Sequence, residues 1–174
     1  MFTFVTGGLR SGKSAYALRR ASELGPPPWL YVAAHIEGDN ELKGRLASHR
    51  RDHDTTWKLI EAPDKLAVAL EPAVLDGCGA VVLDRMTVWL SKRLETTDKS
   101  NDHDLLDEVE ALSNRLYRST TPAVVVTTEI GLGFLPANVP DRRLINVAGQ
   151  ANQILAERAA SVVMMVSGVP LRLR

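Results

Sequence analysis

The chain has 174 residues, of which 45% are hydrophobic and 24% are charged, and this composition is that of a globular protein long enough to bury a sizeable core. Its 21 Lys and Arg residues are balanced by 21 Asp and Glu residues, which excludes a broadly basic nucleic-acid binder and a polybasic membrane anchor. No apolar run approaches the roughly 20 residues of a membrane-spanning helix, so no membrane span is predicted.

Short buried strands alternate along the chain with amphipathic helices. In chain order, the predictions are a strand at 2–6, a helix at 13–24, a strand at 29–34, a helix at 41–51, a strand at 57–60, a helix at 66–75 that Pro72 weakens, a strand at 80–83, a helix at 87–94, a polar loop at 95–101, a helix at 102–118, a strand at 123–127, a loop at 131–140, a helix at 141–160 and strands at 162–166 and 169–173. Because strands and helices alternate, right-handed crossovers predict an α/β fold with a mostly parallel sheet and helices on both faces. The last two strands, joined by Ser167 and Gly168, predict a C-terminal β-hairpin.

The N-terminus and the cysteine content favour the cytoplasm. The first residues contain neither a basic segment nor a long apolar core, so they do not match a secretory signal. The single cysteine, Cys78, forms no disulfide within the chain, which is typical of a reducing compartment. We expect a cytoplasmic protein with one domain over residues 1–174.

A phosphate-binding loop follows the first predicted strand. Residues 7–14, GGLRSGKS, match the pattern G-x-x-x-x-G-K-[ST] at every fixed position and precede a predicted helix. In such a loop the backbone N–H groups and the helix N-terminus face the phosphates, while the lysine reaches the β- and γ-phosphates and the serine hydroxyl binds Mg²⁺. The predicted nucleotide-binding residues are Gly7, Gly8, Leu9, Arg10, Ser11, Gly12, Lys13 and Ser14. This motif predicts a three-layer P-loop fold of the RecA-like kind.

A phosphate loop needs an acidic partner at the end of a neighbouring strand. Asp84 directly follows the apolar run Val81-Val82-Leu83, so it is the candidate to hold Mg²⁺ with Ser14, directly or through water. The alternative for Asp84 is an N-cap of the helix that follows. The Asn-Lys-x-Asp signature of switch GTPases is absent from the sequence, which argues against a Ras-like switch.

A second segment that contains candidate catalytic residues is rich in arginine and histidine. If residues 41–51 form a helix that continues through residue 53, Arg45, His49 and His53 lie on one face at spacings of four residues. Like charge favours the neutral imidazole, which is a nucleophile, and flanking arginines could hold a phosphate against it. Spacing alone favours the alternative of a solvated basic helix face.

Together with other short motifs, these segments resemble the bifunctional adenosylcobinamide kinase/adenosylcobinamide-phosphate guanylyltransferase family of cobalamin biosynthesis. The resemblance extends nearly from end to end of the chain. Besides the phosphate loop, its motifs are Tyr31-Val32-Ala33, Asp39-x-Glu41-Leu42, Arg45-x-x-x-His49-Arg50, Trp57, Glu61, Asp84-x-x-Thr87-x-Trp89-x-Ser91, Glu129-x-Gly131-x-Gly133-x-x-Pro136, Ala148-Gly149-x-x-Asn152-Gln153 and residues 166–171.

The resemblance implies two reactions, with ATP and GTP as substrates and Mg²⁺ as the metal. The first phosphorylates the aminopropanol hydroxyl of the corrinoid adenosylcobinamide. The second transfers GMP from GTP, through a guanylylated His49, to adenosylcobinamide phosphate and releases pyrophosphate. Arg45 and Arg50 are then expected to neutralise phosphate oxygens, and Glu61 and Glu129 to contact the nucleotide. The resemblance also implies a homotrimer.

Several positions depart from the family's pattern and leave alternatives open. His53, Asp54, Arg85 and Lys92 replace residues that are common in the family, and these changes place the local nucleotide and corrinoid contacts in question. The alternatives are that only one activity is retained, that the chain is a P-loop kinase for another small alcohol, or that it is a nucleotide-binding regulatory protein.

Overall fold

The computed structural model describes residues 1–33, 44, 57–62, 64–98, 101–133 and 136–174. Their core is one seven-stranded sheet with the strand order β3-β2-β4-β5-β1-β6-β7. The strands are β1 (Phe2–Gly7), β2 (Trp29–Ala33), β3 (Trp57–Glu61), β4 (Ala80–Asp84), β5 (Ala123–Val126), β6 (Ser161–Val166) and β7 (Val169–Arg172). All neighbouring strands are parallel except β6 and β7, which form an antiparallel hairpin. The predicted α/β fold, the mostly parallel sheet and the C-terminal hairpin are thus confirmed.

Helices cover both faces of the sheet. They are α1 (Lys13–Leu24), a 3₁₀ helix (Leu66–Leu70), α2 (Pro72–Leu75), α3 (Met86–Thr96), α4 (Asp102–Arg118) and α5 (Val139–Arg158). Helix α1 packs Ala17, Leu18 and Ala21 into a core with Val5 and Val82 on one face. The other helices pack on the opposite face, against a separate core that contains Phe4 and Leu83 among its strand residues. Because the central strands are buried on both faces, they consist of continuous apolar residues.

The structure differs from the predictions mainly at residues 66–75. Instead of one helix, this stretch forms the 3₁₀ helix and the single turn α2, separated by Glu71 in an extended conformation (φ −67°, ψ 145°). The reason is Pro72, because the ring of a proline disfavours helical geometry in the residue before it.

The predicted loops at 95–101 and 131–140 are both shorter than expected. Helix α3 continues to Thr96, and α5 begins at Val139 because Asn138 caps it, with the Asn138 side chain accepting a hydrogen bond from the backbone N–H of Asp141 at 2.8 Å. Apart from Gly44, the predicted helix at 41–51 lies outside the described residues. None of the helices in the described part of the chain has the length and apolar character that crossing a bilayer requires.

The carboxyl ends of the six parallel strands lie at one edge of the sheet, which is where ligands bind in open α/β folds. Strand β1 leads into the phosphate loop, and β4 ends at Asp84. Strand β5 lies between them, so Thr127 and the residues after it emerge between the loop and Asp84.

Candidate active site

The phosphate loop turns sharply between β1 and α1. Gly7 (φ 141°), Arg10 (φ 56°) and Gly12 (φ 93°) have positive φ, and Gly12 is the N-cap of α1, its carbonyl accepting from the N–H of Tyr16 at 3.0 Å. The turn between β6 and β7 is hydrogen-bonded to the phosphate loop, since the N–H of Gly168 donates to the carbonyl of Ser11 at 3.0 Å. The C-terminal hairpin therefore supports the loop that the N-terminal strand begins.

Two adjacent glycines of this loop are expected to respond differently to the same substitution. A Cβ on Gly7 would lie 2.4 Å from the carbonyl oxygen of Met165 at a positive φ, whereas a Cβ on Gly8 would meet nothing within 4 Å. We expect Gly7→Ala to lower the free energy of unfolding by at least about 2 kcal/mol, because backbone strain and a backbone clash add together. Gly8→Ala is the control and should change it by less than about 0.5 kcal/mol. Urea unfolding of both variants measures the difference, and equal stabilities would contradict the loop geometry.

Lys13 folds back into the phosphate loop. Its side chain is buried, and Nζ donates to the carbonyl of Gly8 at 2.6 Å and to Ser11 Oγ at 3.5 Å. Burial lowers the pKa of Lys13, and the negative charge of Asp84 partly opposes that shift. Because burial disfavours its cationic form, Lys13 would be stabilised by an anion placed beside it, such as a polyphosphate.

Asp84 is buried at the end of β4 and accepts two hydrogen bonds. The backbone N–H of Arg85 donates to Oδ1 at 2.7 Å, and the hydroxyl of Tyr31 donates to Oδ2. Asp84 is not the N-cap of α3, because Arg85 occupies that position in a left-handed conformation (φ 65°, ψ 40°). The carboxylate is thus held at the mouth of the sheet and does not cap the helix.

The phosphate loop and Asp84 line one cavity of about 440 Å³. The described residues that line it include three cations, Arg10, Lys13 and Arg85, and one carboxylate, so an anionic ligand is electrostatically favoured beside them. The described residues that line it are Leu9, Arg10, Ser11, Gly12, Lys13, Ser14, Ala15, Asp84, Arg85, Val88, Val126, Thr127 and Thr128.

The oxygen donors of this cavity fit a hard divalent cation. Ser14 brings a hydroxyl and Asp84 a carboxylate, which are ligand types that Mg²⁺ prefers. Across the described ranges, no group of three or more His, Cys, Asp and Glu side chains could hold a metal ion. Phosphate oxygens of a nucleotide would complete the coordination, as is usual where one or two carboxylates bind Mg²⁺.

A threonine network connects the first turn of α3 to the end of β5. Thr87 Oγ1 donates to the carbonyl of Thr128 at 3.1 Å, accepts from the N–H of Thr128 at 3.0 Å and lies 2.9 Å from Thr127 Oγ1. Because Thr127 and Thr128 line the cavity, the network supports one of its walls.

Replacing Thr87 by valine should therefore destabilise the protein. The substitution keeps the side-chain shape but leaves the buried hydroxyl of Thr127 and the part-buried backbone groups of Thr128 without this partner, so we expect the free energy of unfolding to fall by about 1–3 kcal/mol. Thr96→Val, at an exposed position on the same helix, should change it by less than about 0.5 kcal/mol. Thermal and urea unfolding give both values, and a Thr87→Val protein as stable as the control would show that the network contributes nothing.

The two predicted glutamates lie at different distances from the phosphate loop. Glu129 is next to it, since its N–H donates to the carbonyl of Gly7 at 3.0 Å; its carboxylate accepts from the N–H of Gly131 at 3.1 Å and from Asn152 Nδ2 at 3.4 Å. Glu61 ends β3, which β2, β4 and β5 separate from β1, and its carboxylate lies 3.8 Å from Lys92 Nζ. Neither glutamate lines the cavity. The structure thus brings Glu129, but not Glu61, beside the loop.

The predicted histidine and arginines, His49, Arg45 and Arg50, lie outside the described residues, as does His53. Strand β2 ends at Ala33, which pairs with Asp84 across the sheet.

Sequence reasoning missed the roles of two residues here. Arg85 appeared in the sequence only as a departure from a family pattern, yet it lines the cavity and binds Asp84 through its backbone. Tyr31 belongs to a motif of apolar residues. Its contact with Asp84 exists because β2 and β4 are neighbouring strands, and a local sequence pattern does not predict strand order.

The sequence is similar to those of known proteins. The sequence profile of the cobinamide kinase / cobinamide phosphate guanyltransferase family matches residues 3–173. The chain is 34% identical to the bifunctional adenosylcobalamin biosynthesis protein CobP of Pseudomonas aeruginosa, over all of this chain and 98% of that protein. It is 29% identical to the bifunctional adenosylcobalamin biosynthesis protein CobU of Salmonella typhimurium over the full length of both.

A solved structure shares the fold. It is a KaiC-like protein of Pyrococcus horikoshii, 12% identical, with a TM-score of 0.57 over 94% of this chain and 69% of that one. At this identity the likeness concerns the fold alone, and it confirms the predicted P-loop, RecA-like architecture. Because the family's sequence profile matches nearly every residue, the chain belongs to the cobinamide kinase / cobinamide phosphate guanyltransferase family, whose members are bifunctional enzymes of cobalamin biosynthesis.

Proposed function

We propose that this chain phosphorylates the aminopropanol hydroxyl of adenosylcobinamide with a nucleoside triphosphate and then converts the product to adenosylcobinamide-GDP with GTP. The observation that carries the proposal is the single cavity in which the phosphate loop, buried Lys13 and buried Asp84 meet, in a chain of this family. Such a cavity holds a triphosphate by its oxygens, which is the need common to both reactions.

In the first reaction, the corrinoid hydroxyl attacks the γ-phosphorus, loses its proton and displaces a nucleoside diphosphate. The phosphate loop and Lys13 neutralise the charge that spreads over the phosphate oxygens and hold the donor in line with the hydroxyl. Ser14 and Asp84 would hold a bound Mg²⁺, which would neutralise further negative charge on the phosphate oxygens.

In the second reaction, a ring nitrogen of His49 attacks the α-phosphorus of GTP and pyrophosphate leaves. An oxygen of adenosylcobinamide phosphate then attacks the phosphorus of the GMP–histidine, which restores His49 and forms the diphosphate bond of adenosylcobinamide-GDP. Lys13 and the loop stabilise the leaving pyrophosphate, and Arg45 and Arg50 neutralise the α-phosphate oxygens. Glu129, beside the loop, and Glu61 complete the proposed nucleotide contacts.

Two separate assays test the proposal. With γ-labelled ATP or γ-labelled GTP and adenosylcobinamide, label should appear on the corrinoid; with α-labelled GTP and adenosylcobinamide phosphate, label should appear in adenosylcobinamide-GDP with one pyrophosphate per turnover. Failure of one assay would restrict the chain to the other activity. Nucleotide binding without turnover of any corrinoid would favour a regulatory protein, and phosphorylation of another small alcohol alone would favour a different kinase.

We also propose that residues 1–174 act as one domain in a cytoplasmic homotrimer, which the family resemblance supports. Light scattering of the purified protein should then give three times the chain mass of 19.0 kDa. A mass equal to that of one chain would contradict the trimer.

A further inference from the structure

Tyr31 reaches the buried carboxylate of Asp84 across two neighbouring parallel strands. In the register of β2 and β4, Ala33 pairs with Asp84 and Tyr31 pairs with Val82. Because side chains two residues apart share a face of a strand, Tyr31 and Asp84 lie diagonally on the same face, a separation that a long aromatic side chain can bridge. The Tyr31 hydroxyl donates its hydrogen bond to Asp84 Oδ2.

The ring of Tyr31 is held in place by other aromatic residues. Tyr31 has no exposed surface, and its ring meets Trp57 edge-on at 6.1 Å between centroids. Trp57 in turn packs against Trp29 at 5.2 Å. This aromatic packing on β2 and β3 leaves the Tyr31 hydroxyl a fixed donor, because moving the ring would open a void in the core.

A second donor holds the other oxygen of the same carboxylate. The N–H of Arg85 donates to Asp84 Oδ1 at 2.7 Å, from a residue in the left-handed conformation. Each carboxylate oxygen has two acceptor positions, so one remains on each oxygen after these bonds. Asp84 lines the cavity that also contains Lys13 and Ser14, and two donors on different oxygens define the plane of its carboxylate.

We propose that Tyr31 is a positioning residue of the nucleotide site, whose hydroxyl fixes the Asp84 carboxylate in the orientation that holds the divalent cation of a bound metal–triphosphate. Hydrogen-bond donors behind a metal-ligating carboxylate commonly set its orientation and its affinity. The proposal rests on the proposed function, because it takes Asp84 as the carboxylate that holds the cation.

The experiment measures how much Mg²⁺ strengthens nucleotide binding. Isothermal titration calorimetry gives the Kd of α,β-methylene-GTP, which cannot transfer GMP to His49, with Mg²⁺ and with EDTA, and the ratio of the two is the Mg²⁺ enhancement. For Tyr31→Phe, which removes only the hydroxyl, we expect the enhancement to fall by about 10-fold or more while the Kd in EDTA stays within about 2-fold of wild type. Tyr117→Phe removes an exposed hydroxyl and should leave both values unchanged.

Asp84→Asn separates failure of this proposal from failure of the proposed metal role. If Asp84→Asn keeps the full enhancement, Asp84 does not hold the cation and the proposed metal role itself is wrong. If Asp84→Asn loses the enhancement while Tyr31→Phe keeps it, the positioning role of Tyr31 is overturned. A loss of affinity in Tyr31→Phe that is equal with Mg²⁺ and with EDTA also overturns it, because a purely structural defect would act on both.

A measurement on the intact side chain covers the case in which Tyr31→Phe does not fold. The chain has three tyrosines, so protein labelled with 3-fluorotyrosine should give three ¹⁹F resonances, assigned with Tyr16→Phe and Tyr117→Phe. We expect the Tyr31 resonance to shift when Mg²⁺ is added to the α,β-methylene-GTP complex of the wild-type protein and to stay in place in Asp84→Asn. A Tyr31 resonance whose chemical shift does not change when Mg²⁺ is added to the wild-type complex would overturn the proposal.

Discussion

Lys13→Met is expected to lower kcat for both phosphoryl transfer and guanylyl transfer by about 10³-fold. Methionine keeps the length and most of the apolar contact of the side chain but removes the charge that Nζ carries inside the loop. That charge is needed twice, because in the proposed reactions the same loop stabilises the diphosphate that leaves in the first step and the pyrophosphate that leaves in the second. Initial rates of both assays with saturating corrinoid measure the effect.

Lys65→Met provides the matched control, since Lys65 is an exposed lysine outside the cavity and its loss should leave both rates within about 2-fold of wild type. Circular dichroism and thermal unfolding show whether Lys13→Met retains its fold. Loss of only one activity in a folded Lys13→Met protein would mean that the two reactions use different triphosphate sites. Retention of both activities would contradict the role given to the loop.

His49→Ala is expected to abolish the acid-labile, base-stable label that α-labelled GTP leaves on the protein. It should lower guanylyl transfer by about 10⁴-fold or more, as removal of a covalent nucleophile does in other enzymes. Phosphorylation of adenosylcobinamide should continue within about 10-fold of the wild-type rate, because the γ-phosphoryl passes directly to the hydroxyl. Peptide mapping of the labelled wild-type protein should place GMP on His49.

His103→Ala controls for non-specific labelling. His103 is exposed on α4, where Nδ1 lies 3.1 Å from Asp107 Oδ1, and its variant should take up label as the wild-type protein does. Full labelling of His49→Ala, or a mapped label on His53, would show that His49 is not the nucleophile. Labelling of His49 without guanylyl transfer to the corrinoid would instead place the defect in the second half of the reaction.

Local patterns in the sequence predicted most elements because each buried strand is a short continuous apolar run and each amphipathic helix repeats its apolar residues every three or four positions. Residues 66–75 are the exception, since their helical spacing predicts one helix that Pro72 weakens, whereas Pro72 divides the stretch by holding Glu71 extended. Helix α5 begins two residues before the predicted start at 141, because the side chain of Asn138 caps it.

The candidate site was predictable where it is contiguous and unpredictable where it is assembled from distant strands. The phosphate loop is one continuous segment, so the order and spacing of its glycines, lysine and serine are enough to predict it. Asp84 was found because it ends an apolar run. Glu61 and Glu129 both match the family's pattern, yet β3 is an outer strand of the sheet and β5 adjoins the phosphate-loop strand, so only Glu129 lies beside the loop.

The sequence by itself determined the α/β class and the phosphate loop, since these depend on residues close together in the chain, and it indicated Asp84 as a candidate because that residue ends an apolar run. Only the tertiary structure decided that β5 lies between β1 and β4, that Arg85 lines the cavity and that Tyr31 donates to Asp84. The physical reason is that strand order and register result from burying both faces of the whole sheet at once. Contacts between residues 53 positions apart, as Tyr31 and Asp84 are, exist only after that packing is complete.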